Sequence, residues 1–268
     1  ADLAPDEWQV SDQRAHLTYR LAVPARSSAA FCVIVTGGWS RAEHEALFAQ
    51  ATRQWPQALA AAHAHGDWLA TRLELDDALL HSLFTASLSG ALSAYHEDRS
   101  GRFQALSPAS AELDPEVTLP ADAYWCAQAL LPFQPAWVRA EILALAQAVG
   151  KDGGLARGVR TVPLQGPGAA PHGVGPPACD SPSYLAMLVH DYLCWTGEHG
   201  ILDEQVNGRT VWDSVLSCVD YLRRLDTDHD FMFEKKRQQP DWAYDVLRDP
   251  WVTYDLALHY QALKGTTE

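Results

Sequence analysis

The sequence predicts a mainly α-helical protein with a short β-stranded start. Two patterns carry that reading. From Asp76 onward, apolar residues recur at helical spacing in several stretches separated by polar loops with Gly and Pro. Before Ser40 the period is two instead: Leu17, Tyr19, Leu21 and Val23 alternate with Thr18, Arg20 and Ala22, the signature of a half-buried strand.

In chain order, Leu17–Val23 and the β-branched run at Phe31–Val35 predict two strands, and Trp8–Val10 predicts a third. Ser40 with Glu43 reads as a capping box, followed by an Ala-rich helical run to His65 that Pro56 interrupts. His63 and His65 project to different faces of such a helix and read as solvated residues. Asp76-Asp77 starts a helix whose apolar stripe is Leu79, Leu83, Phe84, Leu88, Ala91, Leu92 and Tyr95. Turn chemistry fills 96–116, and a short helix over 121–131 ends at Pro132. Val138, Ile142, Leu145 and Val149 mark the next helix, stopped by Gly150, Gly153 and Gly154. Residues 151–179 read as one long Gly/Pro-rich loop. Asp180-Ser181-Pro182 then caps a helix carrying Leu185, Leu188, Val189, Tyr192 and Leu193. Val211, Val215, Val219 and Leu222 give another helix, and Val252, Leu256, Tyr260 and Leu263 the last. The domain reading is β-strands over 1–38, a helical linker over 39–75, and stacked helical hairpins over 76–268.

Composition narrows the function classes. The formal net charge of −14 disfavours nucleic acid and anionic membrane as partners and suits a neutral substrate such as a saccharide. No apolar run approaches the length of a membrane span. The five cysteines, Cys32, Cys126, Cys179, Cys194 and Cys218, form no CxxC pair or zinc spacing, so free thiols in a reducing cytoplasm are expected, with no metal and no cofactor.

Four short stretches carry candidate chemistry. Gln239–Arg248, where Pro240 discourages helix at Gln239 and Pro250 does the same at Asp249, holds Asp241, Trp242, Asp245 and Arg248. Carboxylates beside an indole suit sugar chemistry, because carboxylates move protons or bind hydroxyls and an indole face stacks on a pyranose ring. The bland alternative is a surface loop with an Asp245–Arg248 ion pair. In Pro120–Trp125, Asp122 reads as a helix cap or a hydroxyl ligand, and Trp125 as core or pocket wall. In Cys179–Tyr184, Asp180 reads as a cap that can also sit at a pocket mouth. Asp226-Thr227-Asp228-His229-Asp230 opens like a calcium loop. Phe231 stands where an EF-hand needs Gly and Arg237 where it needs Glu, so a polar turn is the better reading. No GxSxG elbow, P-loop or GxGxxG is present.

Taken together and in order, these stretches resemble the helical catalytic domain of bacterial glycogen-debranching-type glycosidases, in the six-hairpin, glucoamylase-like superfamily. The likeness rests on Asp122–Trp125 followed by Ala129-Leu130-Leu131-Pro132, and on Asp180-Ser181-Pro182 leading to Leu188–Tyr192 and Trp195–Glu198. It ends with Asp241-Trp242 to Asp245 before Val252–Leu258. The resemblance implies an (α/α)6 toroid that hydrolyses α-glucosidic linkages of oligosaccharides, usually with inversion and without metal. It places the general acid at Asp241 or Asp245 and gives Asp122, Trp125, Asp180, Trp242 and Arg248 substrate-binding roles. In inverting enzymes a second carboxylate activates water roughly 6.5–9.5 Å from the acid. Tyr244 stands where related sequences can carry a further acidic residue. A closed toroid needs about twelve helices and the periodicity shows about six. The chain is thus expected to be an incomplete toroid lacking the general base, after the last strands of a β-sandwich, with an open helical face covered by self-association or a partner chain. The alternative is a non-catalytic helical carbohydrate-binding or assembly module.

Overall fold

The structure is a computed structural model. It describes residues 7–11, 14–18, 34, 40–97, 101–106, 117–161, 171–236, 238–243 and 250–267. The chain divides into two compact units, 1–68 and 69–268.

In the first unit, β1 (Glu7–Ser11) and β2 (Arg14–Thr18) pair antiparallel, with Glu7 opposite Thr18 and Ser11 opposite Arg14. This agrees with the strand predicted near Trp8 and overlaps the strand predicted over Leu17–Val23 at Leu17 and Thr18; residues 19–23 lie outside the described residues. The predicted Phe31–Val35 strand falls largely outside the described residues. Among the described residues, helix α1 (Arg41–Ala70) follows these strands. Ser40 caps it as predicted, its Oγ accepting the Glu43 N–H at 3.2 Å. Pro56 does not interrupt this helix, which runs through it. His63 and His65 are exposed.

Among its described residues the second unit has six α-helices: α2 (Ala78–Leu92), α3 (Pro120–Leu130), α4 (Pro135–Ala148), α5 (Ser181–Thr196), α6 (Val211–Arg223) and α7 (Thr253–Thr267). Helix α5 is the centre, packing against α3, α4, α6 and α7. Its sequence explains why. Ser181 to Val189 is buried all the way round the helix, and a helix without a polar face belongs inside. Alternate helices also meet: α3 packs on α5, α5 on α7, and α4 on α6.

The predicted stripe of α4 is buried as expected at Val138, Ile142, Leu145 and Val149. Helix α6 buries Val211, Val215 and Leu222 as expected, with Cys218 buried in place of the half-buried Val219, and is started by a full capping box between Thr210 and Asp213. Two stripes depart from expectation. On α2, Leu88 and Leu92 are buried, but Leu79, Leu80 and Leu83 are exposed, so only the C-terminal half of the helix faces core. On α7 the buried face is Asp255, His259 and Ala262, while Tyr260 and Leu263 are exposed. That face carries ionisable residues, and an apolar count cannot find it.

Two stretches expected as loops carry strands. Within 96–116, β3 (Tyr95–Glu97) and β4 (Phe103–Leu106) pair antiparallel. Within 151–179, β6 (Ala156–Arg160) pairs with both β5 (Val117–Thr118) and β7 (His172–Pro177) in a three-stranded sheet. Glycine there serves close packing. At Gly153, φ is +85°, and a Cβ would lie 1.9 Å from the Ser217 carbonyl oxygen of α6. A small hairpin, β8 (Gln205–Val206) and β9 (Arg209–Thr210), turns on Asn207-Gly208, both at positive φ, as a type I′ turn requires. Its Arg209 guanidinium donates to the Val149 and Gly150 carbonyls beyond the end of α4.

Candidate functional site

A cavity of about 460 Å³ opens where three alternate helices begin. Asp122 and Trp125 come from the first turns of α3, Ser181 and Tyr184 from the start of α5, and Tyr254 from the start of α7. Arg157 of β6, Asp180 ahead of α5, and Trp242 complete the polar and aromatic lining. The volume lies within the range of small-molecule sites.

The wall is aromatic. Trp125 and Trp242 are 62% and 51% exposed, unusual for so large an apolar side chain. Trp125 packs edge-on against Tyr124 at 5.1 Å and hydrogen-bonds to Tyr184. Tyr184 and Tyr254 join through their hydroxyls, and Trp242 lies 5.5 Å from Tyr254. Each ring is thus braced by another while the two indoles stay open to solvent. Burial pushes both phenols up, so they remain protonated at neutral pH.

The carboxylates are set differently. Burial raises Asp122, and the Arg157 guanidinium partly offsets this. Asp180 is 3% exposed and occupies the N-cap position of α5, yet its side chain makes no capping hydrogen bond. Burial is the largest influence on it and its neighbour Asp241 adds to the rise. Backbone N–H groups, including those of Ser181 and Trp242, pull the other way, and the net result is about 6. The expected cap is a carboxyl group released from capping, turned to the cavity and titrating close to neutrality.

Asp241 takes another place. It is 2% exposed, lies 3.3 Å from the equally buried Lys235 ammonium, and accepts the Ala243 N–H at 2.8 Å. The Pro240 carbonyl accepts the Cys179 N–H at 3.0 Å, tying this loop to the start of α5. Asp241 does not line the cavity; it holds the turn that presents Trp242. Asp245 and Arg248 lie outside the described residues.

The structure therefore gathers Asp122, Trp125, Asp180 and Trp242 from three separate stretches into one cavity. Arg157, Ser181, Tyr184 and Tyr254 join them without having been predicted as site residues. Tyr184 stands four residues after Asp180, one helical turn on, which was a usable signal. Arg157 was hidden in a segment read as loop, and Tyr254 at a helix start, off the predicted apolar stripe.

Elsewhere, carboxylate oxygens of Asp226, Asp228 and Asp230 lie within 4.8 Å of one another. They are engaged by the turn's own backbone: the Asp230 and Phe231 N–H groups donate to Asp226, and the Met232 N–H to Asp230. This agrees with the polar turn read from the sequence. Among the described residues no helix is long and apolar enough to cross a membrane. Comparison of the chain with protein-family models, with curated proteins and with solved structures gave no match.

Proposed function

We propose that this chain is a saccharide-processing domain, part of an inverting glycoside hydrolase acting on α-glucosidic linkages of oligosaccharides. The observation that carries the reading is the convergence of two solvent-facing indoles, the buried carboxyl of Asp180 and the half-buried carboxyl of Asp122 on one cavity. Indole faces take the apolar face of a pyranose, and carboxyl groups take its hydroxyls. A group titrating near 6 is protonated often enough at neutral pH to deliver a proton to a leaving oxygen. Asp180 and Asp122 both line the cavity with raised carboxyls; Asp180, the more deeply buried and raised to about 6, is the general acid. Asp122, held beside Arg157, is the hydroxyl ligand. The alternation of contacts supports an (α/α)6 arrangement in which α3, α5 and α7 form an inner set and α4 and α6 an outer one, with the site at the inner N-termini. The free thiols of Cys126, Cys179, Cys194 and Cys218 suit a reducing compartment.

The test is hydrolysis of α-linked disaccharides and maltodextrins, with the product anomer followed by NMR and Asp180→Asn and Asp245→Asn measured beside the wild type. Release of the β-anomer, with Asp180→Asn lowering kcat by about 10²-fold or more, supports the assignment. If Asp245→Asn abolishes turnover while Asp180→Asn raises only KM, the acid is Asp245 and Asp180 binds sugar. A protein that shows no turnover and no sugar-dependent change in tryptophan fluorescence would sink the saccharide reading. Binding without turnover selects the second reading, a non-catalytic sugar-binding module.

A further inference from the structure

Helix α5 carries a second chemical constellation, separate from the cavity lining. Cys194 Sγ lies 3.5 Å from His190 Nε2, one helical turn earlier on the same face. His190 Nδ1 lies 3.1 Å from Asp191 Oδ1. With the carboxylate accepting from Nδ1–H, the Nε2 lone pair is left facing the thiol. Asp191 is itself fixed from α3: its Oδ2 accepts from Tyr124 Oη at 3.0 Å and from Gln128 Nε2 at 2.9 Å. The imidazole is also held from the side of α7, where a Cβ at Gly265 would come 2.9 Å from His190 Cγ. A cysteine and a histidine four residues apart touch on many helices. Here the histidine is aimed by a carboxylate that two further side chains hold in place, and glycine makes room for its ring.

We propose that Cys194 is a base-assisted nucleophilic thiol that forms mixed disulfides with small disulfides, with His190 as the base and Asp191 as its orienting group. His190 Nε2 takes the thiol proton as the sulfur attacks one sulfur of the incoming disulfide. The Cys194–sulfur bond forms and the small molecule's S–S bond breaks. The leaving thiolate recovers the proton from His190 and departs as a free thiol, so one disulfide is exchanged for another with no further oxidant. Access separates Cys194 from the other described cysteines: it is exposed, whereas Cys179 and Cys218 are buried and Cys126 half-buried. Burial pushes those three thiols up, Cys126 to about 11 and Cys218 to about 12, which leaves them inert by comparison.

The experiment incubates the full chain with oxidised glutathione at neutral pH and follows adducts by peptide mass mapping, which assigns each to its cysteine. N-acetylcysteine in the same buffer sets the reference rate. The expected result is an adduct at Cys194 forming about tenfold faster than the reference, falling about tenfold in His190→Gln. A wild-type rate at the reference, or an unchanged rate in a folded His190→Gln protein, overturns the proposal. If His190→Gln does not fold by circular dichroism, the ratio of wild-type to reference rate decides alone.

Discussion

Replacing Glu141 by glutamine tests the energetics of the second unit at its most exacting point. Glu141 lies on the buried side of α4, one position before Ile142, and is 0% exposed. One carboxylate oxygen accepts the Thr118 hydroxyl at 2.8 Å, and the Leu106 amide N–H also donates to the group. The second oxygen, Oε2, has no partner among the described residues. Burial outweighs both hydrogen bonds and pushes the carboxyl from its ordinary 4.5 to about 8. The folded protein therefore holds a proton that the unfolded chain releases between those two values, and stability falls as pH rises through that window. Each pH step inside it is worth about 1.4 kcal/mol. Against a neutral isostere the cost of folding with Glu is thus about 3 kcal/mol at pH 7 and under about 1 kcal/mol at pH 5. The glutamine amide keeps the carbonyl that accepts from Thr118 and cannot ionise. Urea denaturation of both proteins at several values between pH 5 and pH 8 measures this. The expected outcome is a Glu141→Gln variant more stable than wild type at pH 7 by roughly that amount, with the gap closing toward pH 5. Parallel stability curves across this range would refute the buried, protonated carboxyl.

Three further outcomes follow from named contacts. Trp125→Ala and Trp242→Ala should each weaken maltodextrin binding about tenfold by calorimetry while leaving the melting temperature close to wild type, because both indoles are half or more exposed. Lys235→Met leaves Asp241 charged in a buried site and should cost about 3–5 kcal/mol in urea unfolding, with Lys235→Met/Asp241→Asn recovering much of it. If Asp180 is the proton donor, kcat should fall as pH rises through about 6, because the reaction needs the protonated carboxyl; a kcat flat from pH 5 to pH 8 removes it from that role.

Much of the helical scaffold is legible in the sequence because its helices announce themselves twice, by stripe and by cap. Val138, Ile142, Leu145 and Val149 define α4 by spacing, and Asp77 marks the start of α2 by accepting the Leu79 and Leu80 N–H groups. Legibility fails where burial is not apolar. Helix α7 buries Asp255 and His259, so its true inner face is invisible to a count of leucines and valines, and Tyr260 and Leu263 mislead. The strands β6 and β7 escape for a different reason. Gly and Pro dominate β7, and β6 is short and pairs with it; residues that usually end structure here let the sheet pack closely: a Cβ at Gly173 would lie 2.7 Å from that of Ala156.

The candidate site is legible in composition and illegible in role, and Asp180 shows why. An aspartate before Ser-Pro at a helix start is explained completely as a cap, and the sequence offers no reason to ask more of it. Whether it caps depends on where its carboxylate points, which is decided by residues distant in sequence. The Lys235–Asp241 pair and the Cys179–Pro240 backbone bond bring Trp242 and its N–H to the front of α5. There the carboxylate of Asp180 meets that amide, loses water to burial, and feels the charge of Asp241. The loop that looked like the reactive element therefore contributes, in its Asp241 half, the scaffold that tunes a carboxyl on another element. A cap released from capping is a property of the contact between two segments, and no pattern within either one encodes it.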